Sequence, residues 1–136
     1  AFYVLAFDRG VDAFMSSVGI TPSYVKEQRS STFTLEIHVN YFHELRLADP
    51  LRLSCQLLDF DFKRVHYFLR MHHAESDYLA AVSEQIMMHV NLETRLSSEF
   101  PEDVHLALTQ LMNKHKGLPR PEKCGSLIGI HKKCKA

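Results

Sequence analysis

Ala1-Phe2-Tyr3-Val4-Leu5-Ala6-Phe7-Asp8-Arg9-Gly10-Val11-Asp12-Ala13-Phe14-Met15-Ser16-Ser17-Val18 repeats its apolar side chains at helical spacing. Tyr3, Phe7, Gly10, Phe14 and Val18 follow one another at i+3 or i+4, and Ala6 and Ala13 widen the stripe. Val4, Leu5, Val11 and Met15 place apolar groups on the other sides, so the helix is expected to be buried nearly all round. A mid-helix Gly10 costs about 1 kcal/mol relative to Ala, which suggests that a strand approaches closely there. Gly19 suits the position just past a helix end, and Pro22 confirms that the helix has ended.

Beyond this helix the period falls from 3.6 to 2 and stays there for about sixty residues. Over 30–44, Phe33, Leu35, Ile37, Val39 and Tyr41 alternate with Thr32, Thr34, Glu36, His38 and Asn40, which predicts a half-buried strand with the first set on one face. Ala48-Asp49-Pro50 reads as a turn. Leu51, Leu53, Cys55 and Leu57 mark a second strand, and Val65, Tyr67, Leu69 and Met71 a third. Glu75-Ser76-Asp77 is the next turn. A fourth strand from Leu79 to about Glu93 is apolar on both faces, as in a covered central strand. Pro101 with Glu102 and Asp103 behind it opens a last helix carrying Val104, Leu108, Leu111 and Met112. The order predicts an α+β fold in which an antiparallel sheet wraps its own N-terminal helix.

The 136 residues fit one domain, read as 1–116, followed by a basic, loose tail over 117–136. Seven of the sixteen basic side chains but only one of the sixteen acidic ones, Glu122, lie in 114–136, so the body carries a net charge of −6. An acidic body is a poor nucleic-acid platform. No apolar run reaches membrane-spanning length, so neither nucleic acid nor membrane is an expected partner. Cys55, Cys124 and Cys134 form no Cys-x-x-Cys pair, which argues against a disulfide framework or zinc knuckle and for a cytoplasmic location. No His-Glu-x-x-His motif occurs among the nine histidines, and no metal site is expected.

The helix Ala1–Asp8, Tyr41-Phe42-His43-Glu44-Leu45 with Asp49-Pro50-Leu51, and Leu79-Ala80-Ala81-Val82-Ser83-Glu84-Gln85 running into His89-Val90-Asn91 and Arg95-Leu96-Ser97-Ser98-Glu99-Phe100-Pro101 resemble the hotdog-fold 4-hydroxybenzoyl-CoA thioesterase-like family. Within it the chain is most similar to the betainyl-CoA thioesterases of carnitine catabolism, over about residues 1–113. The resemblance implies a helix wrapped by a curved sheet, and a homodimer or homotetramer joined edge to edge. It also implies hydrolysis of a short acyl-CoA, with coenzyme A entering as part of the substrate and no separate cofactor. Family members carry a catalytic carboxylate in a loop just before the central helix, so that group is expected upstream of Ala1. An acyl-CoA hydratase or dehydratase, and a non-catalytic acyl-CoA-binding module, are the alternatives. The hydratase chemistry wants a paired Asp and His on the loop and helix, and residues 1–37 contain no His.

Thioester hydrolysis needs a carboxylate, donors for the developing oxyanion and a grip on CoA. Backbone N–H groups near Phe2 and Tyr3 suit the oxyanion, because a helix start aims its N–H groups and dipole there. Asp8 is the carboxylate inside the stripe of Val4, Val11, Met15 and Val18, where it is either a pocket acid facing the partner subunit or part of a polar surface stripe with Asp12 and Ser16, paired with Arg9. Tyr41, Phe42 and His43 end the first strand beside the expected pocket, where His43 either orients a water or sits on the surface. Glu84 breaks an apolar phase, so it either meets a cationic acyl group or pairs with Arg or His across the sheet. Phe60, Phe62, Tyr67 and Phe68 are either an aromatic cage or core packing. Arg95 and Ser97 occupy the position that the family resemblance assigns to CoA, with Lys63 and Arg64 as a second option.

Overall fold

The computed structural model describes residues 2–130, the side chain of Phe2 excepted. Helix α1 spans Phe2–Ser17 and α2 Pro22–Gln28; strands β1 (Ser30–Tyr41), β2 (Leu51–Phe60), β3 (Arg64–His73) and β4 (Leu79–Asn91) follow, and α3 covers Glu102–His115. The strands form one antiparallel sheet in the order β1-β4-β3-β2. The α+β hotdog architecture expected from the sequence is present.

Helix α1 lies on the inner face of the sheet. Phe7, Phe14, Met15 and Val18 are buried there with Leu57, Val65, Tyr67, Leu69 and Met71. A Cβ on Gly10 would sit 3.0 Å from Leu53 Cδ1, so the missing side chain is what lets β2 come close. The helix ends in a Schellman turn: Gly19 has φ of 100°, its N–H donates to the Ser16 carbonyl, and the Ile20 N–H donates to that of Met15. Val104 and Leu108 of α3 complete the core beside α1.

Three expectations change. Pro22 ends one helix and also begins another: Thr21 caps α2 by accepting from the Tyr24 N–H, and Pro22 fills the first helical turn. The helix α1 is not covered all round, since Leu5 is 56% exposed and Asp8, Arg9 and Asp12 face outward. Strand β1 does not keep one apolar face. A bulge between Thr34 and Glu36 inserts Leu35, so Phe33 pairs with Met88 on the outer face, while Ile37, Val39 and Tyr41 pair with Gln85, Ser83 and Ala81 on the inner one.

The tail also departs from a loose end. Residues 117–130 form no helix or strand, yet Pro121 is buried and the stretch crosses the outer face of the sheet. Gln56 Nε2 donates to the Pro119 carbonyl, and the Gly125 N–H donates to Glu84. Residues 131–136, with Cys134, lie outside the described residues.

Candidate active site at the start of the central helix

The first turn of α1 meets the segment that leaves β1, and two tyrosines fix the contact. The Tyr3 hydroxyl donates to the His43 carbonyl at 3.1 Å and accepts from the Leu45 N–H at 2.6 Å. The Tyr78 hydroxyl donates to the Glu44 carbonyl at 3.0 Å. The N–H groups of Phe42 and His43 both donate to the Ala80 carbonyl. Residues 42–45 have left the ladder, so these side chains supply the partners their backbone would otherwise lack. Tyr41 packs its ring edge against Tyr3, with centroids 5.2 Å apart, and His43 packs against Tyr78 at 5.7 Å. Tyr3, Tyr41 and His43, three of the residues singled out in the sequence, are thus brought together. Phe2 begins the same turn, and the placement of its side chain lies outside the described residues.

Asp8 follows about 9 Å further along the helix, from a rise of 1.5 Å per residue. Its carboxylate is exposed, and it lies near the Tyr67 hydroxyl. Burial is the main reason that the Tyr67 hydroxyl resists ionisation, with Cys55 and then Asp8 adding to it. Tyr67 donates to Gln85 Oε1 at 2.8 Å, and Gln85 Nε2 donates to Ser83 Oγ at 3.0 Å. This buried polar chain runs under α1 toward β1.

The remaining sequence candidates lie elsewhere. Phe42 lines a groove of about 770 Å³ on the outer face, which His43 also borders from the site, with Phe68, Arg70 and Val82 as its floor and the tail as its far wall. Glu84 projects from that same outer face, away from α1. His66 Nε2 approaches its Oε2 at 2.7 Å, so the cross-sheet pairing with His is the reading that the geometry favours. Burial would raise the Glu84 carboxyl pKa, but hydrogen bonds from Gly125, His66 and Cys124 outweigh it and hold the pKa below the ordinary value. Tyr67 is packed in the core, Phe68 lies under Arg70 on the outer face, and Phe60 and Phe62 flank His105, so these four form no shared cage. Arg95 and Ser97 stand beyond the end of β4, where Lys63 Nζ donates to Ser97 Oγ at 3.4 Å. That end of the sheet is opposite the one bearing Tyr41, because Ser30 pairs with Asn91 and Tyr41 with Ala81.

Sequence reasoning passed over Tyr78, His66 and Cys124. A register signal existed for His66: it sits diagonally from Glu84, two residues from the directly opposed Phe68.

An antiparallel sheet around a helix, with the helix start clasped by the strand exit, defines a hotdog-type enzyme scaffold. The chain belongs to the thioesterase-like superfamily, whose family model matches residues 1–108, and it is a thioester hydrolase. It is 35% identical to a betainyl-CoA thioesterase of Pseudomonas aeruginosa over 130 residues, 96% of this chain and 82% of the relative. It is 33% identical to an L-carnitine dehydrogenase/betainyl-CoA thioesterase of Rhizobium meliloti, covering 93% of this chain but 25% of that longer protein. Among solved structures, a Staphylococcus aureus protein in complex with CoA superposes with a TM-score of 0.89 at 31% identity, covering 96% of this chain and 82% of the other.

Proposed function

We propose that this acyl-CoA thioesterase hydrolyses a short, cationic acyl-CoA of the betainyl type, releasing the free acid and CoA in the cytoplasm. The clasp between the start of α1 and residues 41–45 carries the reading. It fixes the His43 backbone against the first turn of α1, whose N–H groups and dipole favour a developing oxyanion, while the exposed His43 ring packs against Tyr78. Water adds to the thioester carbonyl and CoA leaves as the thiol, with Asp8, about 9 Å along the same helix, serving as a pocket acid. The ring pair of Tyr3 and Tyr41 offers aromatic surface to a quaternary ammonium group.

The site is completed by a second copy of the chain. Among the described residues β1 pairs on one side only, and Phe33 and Tyr41 along it are 62% and 58% exposed. A long apolar edge of this kind calls for a partner strand. Two-fold antiparallel pairing lays the start of one β1 beside the end of the other. The Lys63, Arg95 and Ser97 end of one copy therefore comes to the Tyr41 and His43 end of its partner, where the CoA phosphates need cations.

Thiol release from betainyl-CoA, acetyl-CoA and a longer acyl-CoA tests the reading. The expected result is the largest kcat/KM for betainyl-CoA, with kcat of Asp8→Asn reduced by about a hundredfold and CoA binding retained. No preference for the cationic acyl group overturns the substrate assignment; full activity of Asp8→Asn overturns the role of that carboxylate.

A further inference from the structure

On the outer face of the sheet, remote from the start of α1, three different metal-ligating side chains converge on one point. His66 Nε2 lies 2.7 Å and Cys124 Sγ 3.4 Å from the same oxygen, Oε2 of Glu84, and the three ligand atoms all lie within 4.8 Å of one another. The other carboxylate oxygen is already occupied, accepting from the Gly125 N–H at 2.7 Å. That bond orients the carboxylate in the manner of an outer-shell partner in a metal site. A cavity of about 240 Å³ adjoins the cluster, lined by Glu36, His38, His66 and Glu84. His38 stands directly opposite Glu84 in the β1–β4 register.

We propose that His66, Glu84 and Cys124 bind a thiophilic divalent cation of the zinc type, with water or His38 in the fourth position, and that the ion fastens the tail across the outer face. Nitrogen, oxygen and thiolate sulfur are the donors zinc takes, at about 2.0–2.1, 2.0–2.2 and 2.3 Å. Around a tetrahedral centre such bonds place the ligand atoms roughly 3.3–3.6 Å apart. The present separations, 2.7 and 3.4 Å from Glu84 and no more than 4.8 Å between any two of the three atoms, lie within side-chain rotation of that spacing. Binding would release the Cys124 thiol proton, leave the imidazole neutral, and balance the thiolate and carboxylate against the two positive charges. Without the ion, the thiol and imidazole are hydrogen-bonding partners of Glu84, so the same residues are satisfied in either state. Two ligands come from adjacent strands and the third from the tail, so the ion would cross-link the stretch that walls the outer groove.

The test is cobalt(II) titration of the full chain after chelator dialysis, followed by absorbance. One equivalent should bind with a thiolate-to-cobalt charge-transfer band and tetrahedral visible bands, and zinc should displace it. Cys124→Ser should remove the charge-transfer band, His66→Ala should weaken binding at least tenfold, and Cys134→Ser should leave both unchanged. Trypsin cleavage after Lys123 should slow severalfold with zinc in the parent chain but not in Cys124→Ser. Absence of saturable binding, a band that depends on Cys134, or affinity unaffected by both Cys124→Ser and His66→Ala overturns the proposal.

Discussion

The two faces of the sheet are built on different terms. The inner face is a continuous apolar bed of Val65, Tyr67, Leu69 and Met71 with Leu57, and a helix with matching period settles onto it. The outer face carries Glu84, His66, Arg70 and Gln56, and it is covered by a stretch without regular structure. Hydrophobic burial holds the first contact, whereas discrete polar bonds hold the second. The inner contact should therefore govern stability, and the outer one should respond to small changes in charge.

Phe7→Ala tests the inner face hardest. Phe7 is fully buried, so the variant should lose about 3–5 kcal/mol in urea unfolding, which would leave little native protein in a marginal domain. Tyr67→Phe should cost about 1–3 kcal/mol, because it strands the buried Gln85 oxygen without its donor. A smaller loss, about 1 kcal/mol, is expected for Tyr3→Phe. Its distinguishing outcome is a fall in kcat larger than the change in stability, since the Tyr3 hydroxyl orders the His43 and Leu45 backbone.

Titration separates the faces as well. His89 is buried on the inner side, between the Tyr24 hydroxyl at 2.7 Å and the Ser98 carbonyl at 3.0 Å. Burial holds its pKa below the ordinary 6.5, against a smaller raising effect of the Ser98 backbone. Below pH 6.5 the unfolded chain therefore binds a proton that the native state still refuses, so stability should fall as pH drops through that value. Urea unfolding at pH 7.5 and 5.5 measures this, and the slope should flatten in His89→Gln. Glu84 behaves differently. Its carboxyl pKa is lowered in the folded state, so its contribution is present above the ordinary glutamate pKa of 4.5 and is lost as pH falls through the native value. The smallest effect should come from Glu84→Gln: little change in global stability, with faster proteolysis confined to 117–126.

The inner face was legible in the sequence because period and burial coincide there. Phe7, Phe14, Val18, Val104 and Leu108 all reach the core, and Gly10 marks the near contact with Leu53. Tyr3, Tyr41 and His43 were each singled out, but their meeting was not, and the Tyr78 hydroxyl that helps to hold their segment carries no local sequence signal. Helix α2 was legible and missed: Thr21-Pro22 is both a stop and a start, and only the stop was read. The outer cluster could not be found by spacing. Its members are separated by 18 and 40 residues, and the tail's return depends on contacts that no periodicity encodes.

The inserted Leu35 has a consequence for assembly. By turning the strand over halfway, it leaves an apolar grip on both sides of the same edge: Phe33 outside, Ile37 and Tyr41 inside. In the proposed edge-to-edge dimer, a neighbour sliding along by one residue would lose both grips at once, so the kink would act as a vernier favouring one alignment. Deleting that one leucine should yield mixed, misaligned assemblies while each folded subunit survives.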